Sequence, residues 1–216
     1  MFNSVIIKNI IIILICIGLL QSCSNNTDSF QDIDNNQITA LDNNDNTIII
    51  VGAKFKNPKT ENIYWKGIDF LNSNEKNQAL IQFQLALKLE PKNLTILEAI
   101  ANLTGEKELY TEAISLYKEI IEIDSNRFSS ILNLGLTYYL NNQFENAINQ
   151  FNLVINKSTE NYQILIAHYH KSEIYLNLKD CINAIENIEK AESIDVNSNF
   201  QEKIIDLKKD ISETCK

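Results

Sequence analysis

The sequence predicts an all-α protein, an array of about four helical hairpins closed by one further helix. Three observations carry that expectation. Only 5 Gly and 2 Pro occur in 216 residues, too few turn residues for an all-β chain. A pattern of small, aromatic and apolar residues recurs every 34 residues, the mark of a repeated supersecondary unit. A last amphipathic stretch follows the final copy, as an open-ended stack requires. The length allows one or two domains, and a hydrophobic content of 44% suits a folded body.

The first 23 residues stand apart from the fold. The amino terminus and Lys8 make a weakly positive start, and an apolar run of eleven residues follows from Ile10 to Leu20. That run is shorter than the roughly 20 residues a spanning helix needs, so it reads as the core of an export signal covering residues 1–22. It ends in Leu20-Gln21-Ser22-Cys23, which resembles the lipobox of bacterial lipoproteins. The resemblance implies cleavage before Cys23 and acylation of its thiol and new amine, with Ser24 directing the product to the outer membrane, periplasmic face, where the cell has one. Several acyl chains make a firm anchor, since each buried methylene contributes roughly 0.8 kcal/mol. The other reading is an uncleaved signal anchor in which Cys23 plays no part.

Residues 23–59 read as the lipidated cysteine and a tether. From Ser24 to Asn46 the chain is rich in Asn, Asp, Gln, Ser and Thr with no sustained period, and offers too little apolar surface to offset chain entropy. Within 47–59 the β-branched run Ile48-Ile49-Ile50-Val51 stands out. It fits a short strand or staple on the first helix, or a segment lying in the protein's own groove as a stand-in ligand.

The repeats follow. Gly67, Phe70, Ala79, Phe83, Ala86 and Pro91 form a template. Moved on by 34 it falls on Ala101, Thr104, Ala113, Tyr117, Ile120 and Ser125, and by another 34 on Gly135, Tyr138, Ala147, Phe151, Val154 and Thr159. A step of 37 reaches Ser172, Tyr175, Ala184, Ile188, Ala191 and Val196, so three residues are inserted near Glu160–Ile164 and the first helix of copy four starts early. Small residues on facing helices let the two backbones approach, and the large residue four positions later is expected to fill space between neighbouring copies. Turns are expected at Asn72-Ser73-Asn74, Gly105-Glu106, Asn141-Asn142 and Lys179-Asp180, and Pro91 marks a helix end.

These positions make the chain similar to the tetratricopeptide repeat (TPR) family over residues 60–198, most closely from Leu134-Gly135-Leu136-Thr137-Tyr138 to Ala147 and Phe151. The resemblance implies a right-handed superhelix with copies at 60–93, 94–127, 128–164 (with the insertion) and 165–198. Lys66 and Lys171 depart from the apolar residue usual before the small position. Residues 199–216 supply the capping helix, with Ile204, Leu207, Lys208 and Ile211 expected on one side. In such repeats the first helices line the inner curve. That face is expected to present Tyr64, Ile68 and Leu71, then Glu98 and Asn102, then Leu132, Leu136 and Tyr139, and last Tyr169, Glu173 and Leu176. Tyr and Leu on a concave face suit anchoring of a helix or extended peptide, with Asn102 placed to read its backbone. Leu132, Leu136 and Leu176 fit equally well as core. The lysines with which some relatives clamp a terminal carboxylate are missing.

Cys181 opens the second helix of copy four and Cys215 closes the cap helix. Consecutive antiparallel helices bring such ends together, and an exported protein permits a disulfide; two free thiols are the alternative. No catalytic motif is found: the chain has no HExxH, G-x-S-x-G, Gly-rich phosphate loop or CxxC pair. His168 and His170 are two apart on a helix and point to different sides, so no metal or cofactor is expected, and His168 reads as core. A net charge of −9 with no basic stripe argues against nucleic acid. The expected function is non-enzymatic: a membrane-anchored scaffold or adaptor for envelope proteins or their peptide segments. A pilotin-like pilus or secretin assembly factor and a periplasmic peptide-binding receptor are the alternatives.

Overall fold

Residues 54–194 and 200–216 are described by a computed structural model. Within them the chain forms α1 (Pro58–Asn72), α2 (Lys76–Leu89), α3 (Leu94–Glu106), α4 (Tyr110–Ile123), α5 (Phe128–Leu140), α6 (Phe144–Lys157), α7 (Asn161–Asn177), α8 (Cys181–Ser193) and α9 (Phe200–Thr214). No strand occurs among the described residues. Each helix packs on the next, and the first helices of successive hairpins also touch, α3 on α5 and α5 on α7. The result is a stack of four hairpins: α1, α3, α5 and α7 are first helices, and α2, α4, α6 and α8 second helices. The three inserted residues lengthen α7 to 17 residues, against 13 in α3 and α5.

Packing explains the repeat. The small position of every copy (Gly67, Ala101, Gly135, Ser172) is buried, as are Ala79, Ala113, Ala147 and Ala184. The large residue, however, serves its own hairpin first. A methyl group on Gly67 would lie 2.5 Å from Cε1 of Phe83, and one on Gly135 would lie 2.7 Å from Cε1 of Phe151. Glycine is therefore needed to seat the aromatic ring between the two helices of one copy, and the ring of Phe151 also reaches the next copy, stacking on His170 of α7 with centroids 5.8 Å apart. In copy four the filler is the smaller Ile188, and Ser172 takes the small position, its Oγ donating to the carbonyl of Ala184 at 2.7 Å.

All four hairpin turns share one backbone. Asn74, Glu108, Asn142 and Lys179 have φ between 57° and 62°. The amide of each donates to the carbonyl three residues back, and the next amide reaches five back, as in Glu108 N to Gly105 O and Leu109 N to Thr104 O. These paired bonds close the last turn of the helix and suit glycine at the left-handed residue. None of the four is glycine. Gly105, expected in the turn, sits in the last turn of α3, because the register is set by the buried positions and not by where glycine falls.

The folded body reaches back to Lys54. The Glu90 carboxylate accepts from the amides of Lys56 and Asn57 at 2.9 and 3.3 Å and from Asn93 Nδ2 at 2.9 Å. Asn93 also caps α3 and donates to the Lys54 carbonyl at 2.7 Å. Lys54–Asn57 is thus tied to the α2–α3 junction and α1 begins at Pro58, so the end of the span 23–59 belongs to the folded body. Cys23 and Ile48–Val51 lie outside the described residues.

At the far end α9 buries Phe200, Ile204, Leu207 and Ile211. Lys208 is not on that face: it is exposed and bonds Glu192 of α8 at 2.7 Å. Cys181 and Cys215 are joined by a disulfide, their Cα atoms 5.8 Å apart. No described helix is long and apolar enough to cross a membrane.

Candidate functional site

The inner face of the first helices divides into a buried polar hub and a half-buried apolar surface. The hub forms because α3 packs directly on α5, which closes over the residues at their contact. Glu98 of α3 is 3% exposed. Its carboxylate accepts from Arg127 Nε and Nη2 at 3.1 and 2.5 Å, and from the hydroxyls of Ser129 and Ser130 at 3.0 and 2.6 Å. Ser129 and Ser130 lie in the first turn of α5, where the helix dipole favours an anion. Glu98 is therefore a brace between copies two and three and does not face a partner.

Three further residues expected on the partner-facing surface, Tyr64, Asn102 and Leu132, are interior. Tyr64 is fully buried among Phe55, Trp65 and Phe83, with ring centroids 5.0, 5.4 and 5.3 Å away. Burial, with the Glu98 charge adding, pushes its phenol well above the ordinary value. Leu132 belongs to the main core. Tyr64 lies midway along α1 and Leu132 in the first half of α5.

The remaining positions stay half-buried: Ile68, Leu71, Leu136, Tyr139, Tyr169, Glu173 and Leu176. Tyr139 accepts a hydrogen bond from Asn177 Nδ2 at 3.0 Å, and burial plus the Glu173 charge raise its phenol despite that bond. Glu173 pairs with His170 at 2.6 Å. The ring of Tyr169 meets Phe200 of the cap helix edge-on at 5.1 Å. His168 is buried, its Nδ1 3.0 Å from Asn187 Oδ1, and desolvation holds its imidazole below the usual range. The two histidines thus engage different partners, and no cluster of metal-ligand type occurs among the described residues.

Asn102 is 8% exposed. Its Oδ1 accepts from Tyr117 Oη and from Asn133 Nδ2, the latter at 3.1 Å. With the oxygen taken twice, Nδ2 is left buried with no acceptor among the described residues. Asn102, Tyr117 and Asn133 line a cavity of about 210 Å³ that continues past Glu106, Glu108, Leu136 and Leu140. A larger cleft of about 960 Å³ lies at the opposite ends of the hairpins, between Lys54–Lys56, the α2–α3 junction and Arg127.

Sequence reasoning missed Arg127, Ser130, Asn133, Tyr117 and Glu106. Two signals were present. Arg127 is the chain's single arginine and stands immediately before copy three, and Asn133 follows Asn102 by 31 residues, one repeat less about one helical turn.

Comparison with known proteins agrees with this architecture. Residues 165–197 match the model of the tetratricopeptide repeat family. The chain is 24% identical over 113 residues to tetratricopeptide repeat protein 8 of Caenorhabditis elegans, covering 52% of this chain and 20% of that protein. It is 29% identical over 132 residues to the anaphase-promoting complex subunit CDC16 of Saccharomyces cerevisiae, covering 58% and 15% respectively. The chain thus spans a fifth or less of these curated relatives. Among solved structures, a tetratricopeptide repeat protein of Parabacteroides merdae superposes with a TM-score of 0.59 at 17% identity, covering 74% of this chain and 61% of that one. The pilF protein of Pseudomonas aeruginosa gives 0.61 at 16% identity, covering 72% and 67%. MamA of Desulfovibrio magneticus gives 0.58 at 14%, covering 74% and 92%. With its four stacked hairpins and a fourth copy that the family's model matches, the described chain carries the tetratricopeptide-repeat fold.

Proposed function

We propose that this chain is a lipid-anchored adaptor that gathers proteins of a cell-envelope assembly. Acyl chains on Cys23 hold it at a membrane face, at the outer membrane where the cell has one, and the inner face of α1, α3, α5 and α7 captures a helix or extended segment of a partner. The observation that carries the reading is the half-buried surface of Ile68, Leu71, Leu136, Tyr139, Tyr169 and Leu176. Core packing has already claimed Tyr64 and Leu132, and α3 of copy two is buried from Thr95 to Thr104, yet apolar and tyrosine side chains remain accessible on copies one, three and four, as an anchoring surface must. The anchor rests on the leader sequence ending at Cys23.

The test is photocross-linking in intact cells, with a photoreactive residue at Tyr139, a control at exposed Lys118, and mapping of the linked segment by mass spectrometry. Capture of one envelope protein from Tyr139 and not from Lys118, abolished by Leu136→Glu in a protein of unchanged helicity, is expected. Capture that survives Leu136→Glu moves the site to the outer face. Capture of the chain's own 47–59 segment alone means that the groove is self-occupied.

A further inference from the structure

Charge is distributed unevenly over the inner helices. Neither α3 nor α5 contains a lysine or arginine. The one lysine of α7, Lys171, is turned to Asn152 of α6 at 2.8 Å, and Arg127 is committed to Glu98. The charged side chains lining the 210 Å³ cavity are two carboxylates, Glu106 and Glu108. Its walls are Tyr110, Leu136 and Leu140, the last 45% exposed. Beneath its lining lies the Asn102 Nδ2 donor with no acceptor among the described residues. An unmade hydrogen bond at a buried amide costs about 1–3 kcal/mol, so a structure that retains one beside a cavity invites an acceptor from outside. A lysine ammonium already reaches Glu106: Lys76 of α2 lies 2.9 Å from Oε2, with 43% of its own side chain exposed. The Glu106 side chain is 11% exposed, so it is the open lysine that can yield its place to a second cation.

We propose that this cavity receives a lysine or arginine side chain of the bound segment, whose stem lies along Leu136, Leu140 and Tyr110 and whose cation meets Glu106 and Glu108, while a backbone carbonyl of that segment takes the Asn102 donor. The proposal rests on the groove reading above and adds its selectivity: the partner is a basic amphipathic segment. Long cationic side chains combine an apolar stem with a charged head, which matches a cavity with apolar walls and an acidic mouth. The absence of lysine and arginine from α3 and α5 and the net charge of −9 act in the same direction, favouring basic over acidic segments at this cavity.

The experiment uses the full chain in detergent micelles and three synthetic amphipathic peptides of identical Leu/Ala pattern, with Lys, Gln or Glu at every polar position. Binding is read by fluorescence anisotropy at low and high salt. The Lys peptide is expected to bind about tenfold more tightly than the Gln peptide, and the Glu peptide more weakly still, with the difference shrinking as salt rises. In the double variant Glu106→Gln, Glu108→Gln the Lys peptide falls to the level of the Gln peptide, whose affinity is unchanged. The Gln peptide serves as an internal folding control for that variant. Equal affinity of the three peptides, or a Lys preference that survives the double variant, overturns the cationic pocket. Binding of the Gln peptide that is still lost in Leu136→Glu shows that the groove reading stands when the pocket fails. Failure of all three peptides, together with no capture from Tyr139 in cells, removes both.

Discussion

The disulfide offers the most quantitative test of how this stack holds its end. Cys181 begins α8 and Cys215 follows α9, with a sequence separation of 34. On the chain-entropy relation, closing a loop of that length removes about 3.8 kcal/mol of freedom from the unfolded chain at 25 °C. The cap helix is held otherwise by Phe200, Ile204, Leu207 and Ile211 on α7 and α8 and by the exposed Lys208–Glu192 pair, which contributes little. Replacing both cysteines by serine is therefore expected to lower stability by about 2–4 kcal/mol, the lower figure allowing for residual structure in the unfolded chain. With a urea dependence of about 2 kcal/mol per molar, the midpoint falls by about 1–2 M. Urea titration followed by circular dichroism measures it, with the wild-type chain in reductant as a second route to the same state. Amide exchange localises the loss, which should fall on α9 and α8 first. An unchanged midpoint, or exchange that quickens evenly across all hairpins, would refute the idea that this bond secures the end of the stack.

Glu98→Ala is expected to destabilise by about 3–5 kcal/mol, since it strands the Arg127 charge and two hydroxyls in a buried site; a loss under about 1 kcal/mol in chemical denaturation would show that Glu98 is no brace. Glu108→Gly relieves a left-handed residue in the α3–α4 turn and should stabilise by up to about 1 kcal/mol, raising the melting temperature by about 2–4 °C; a lower melting temperature contradicts the turn geometry. Burial alone would raise the Glu90 carboxyl, but bonds from Asn93 and from the amides of Lys56 and Asn57 outweigh it and hold it below the usual range. Its stabilising contribution is present above the unfolded value and disappears as pH falls through the lower folded one. Wild-type stability should therefore decline more steeply than that of Glu90→Gln as acid is added below about pH 4.5, which thermal melts across that range will show.

The candidate site was only partly legible in the sequence. Periodicity located the inner face, because residues spaced three and four apart share one side of a helix. It did not say which of those residues stay accessible. Tyr64, Glu98 and Leu132 stand at one repeat position, 34 residues apart, and all three are buried, yet Tyr169 at the same position of copy four stays half-open. Glu98 illustrates the same limit: its role depends on Arg127, Ser129 and Ser130, which are about 30 residues away and meet it only when α3 packs on α5.

By itself the sequence determined the all-helical class, the number of hairpins and the positions of their core, since recurrence at a fixed spacing constrains every copy at once. It also located the inserted turn of α7, because three extra residues shift a register that four buried positions then restore. Tertiary structure alone decided that the ring of Phe83 is seated on Gly67, that Glu108 and not Gly105 takes the left-handed turn, that Lys208 faces solvent and that Asn102 Nδ2 is buried with no acceptor among the described residues. Each of these depends on distances between residues from different helices, and such distances are fixed by packing and carry no period along the chain.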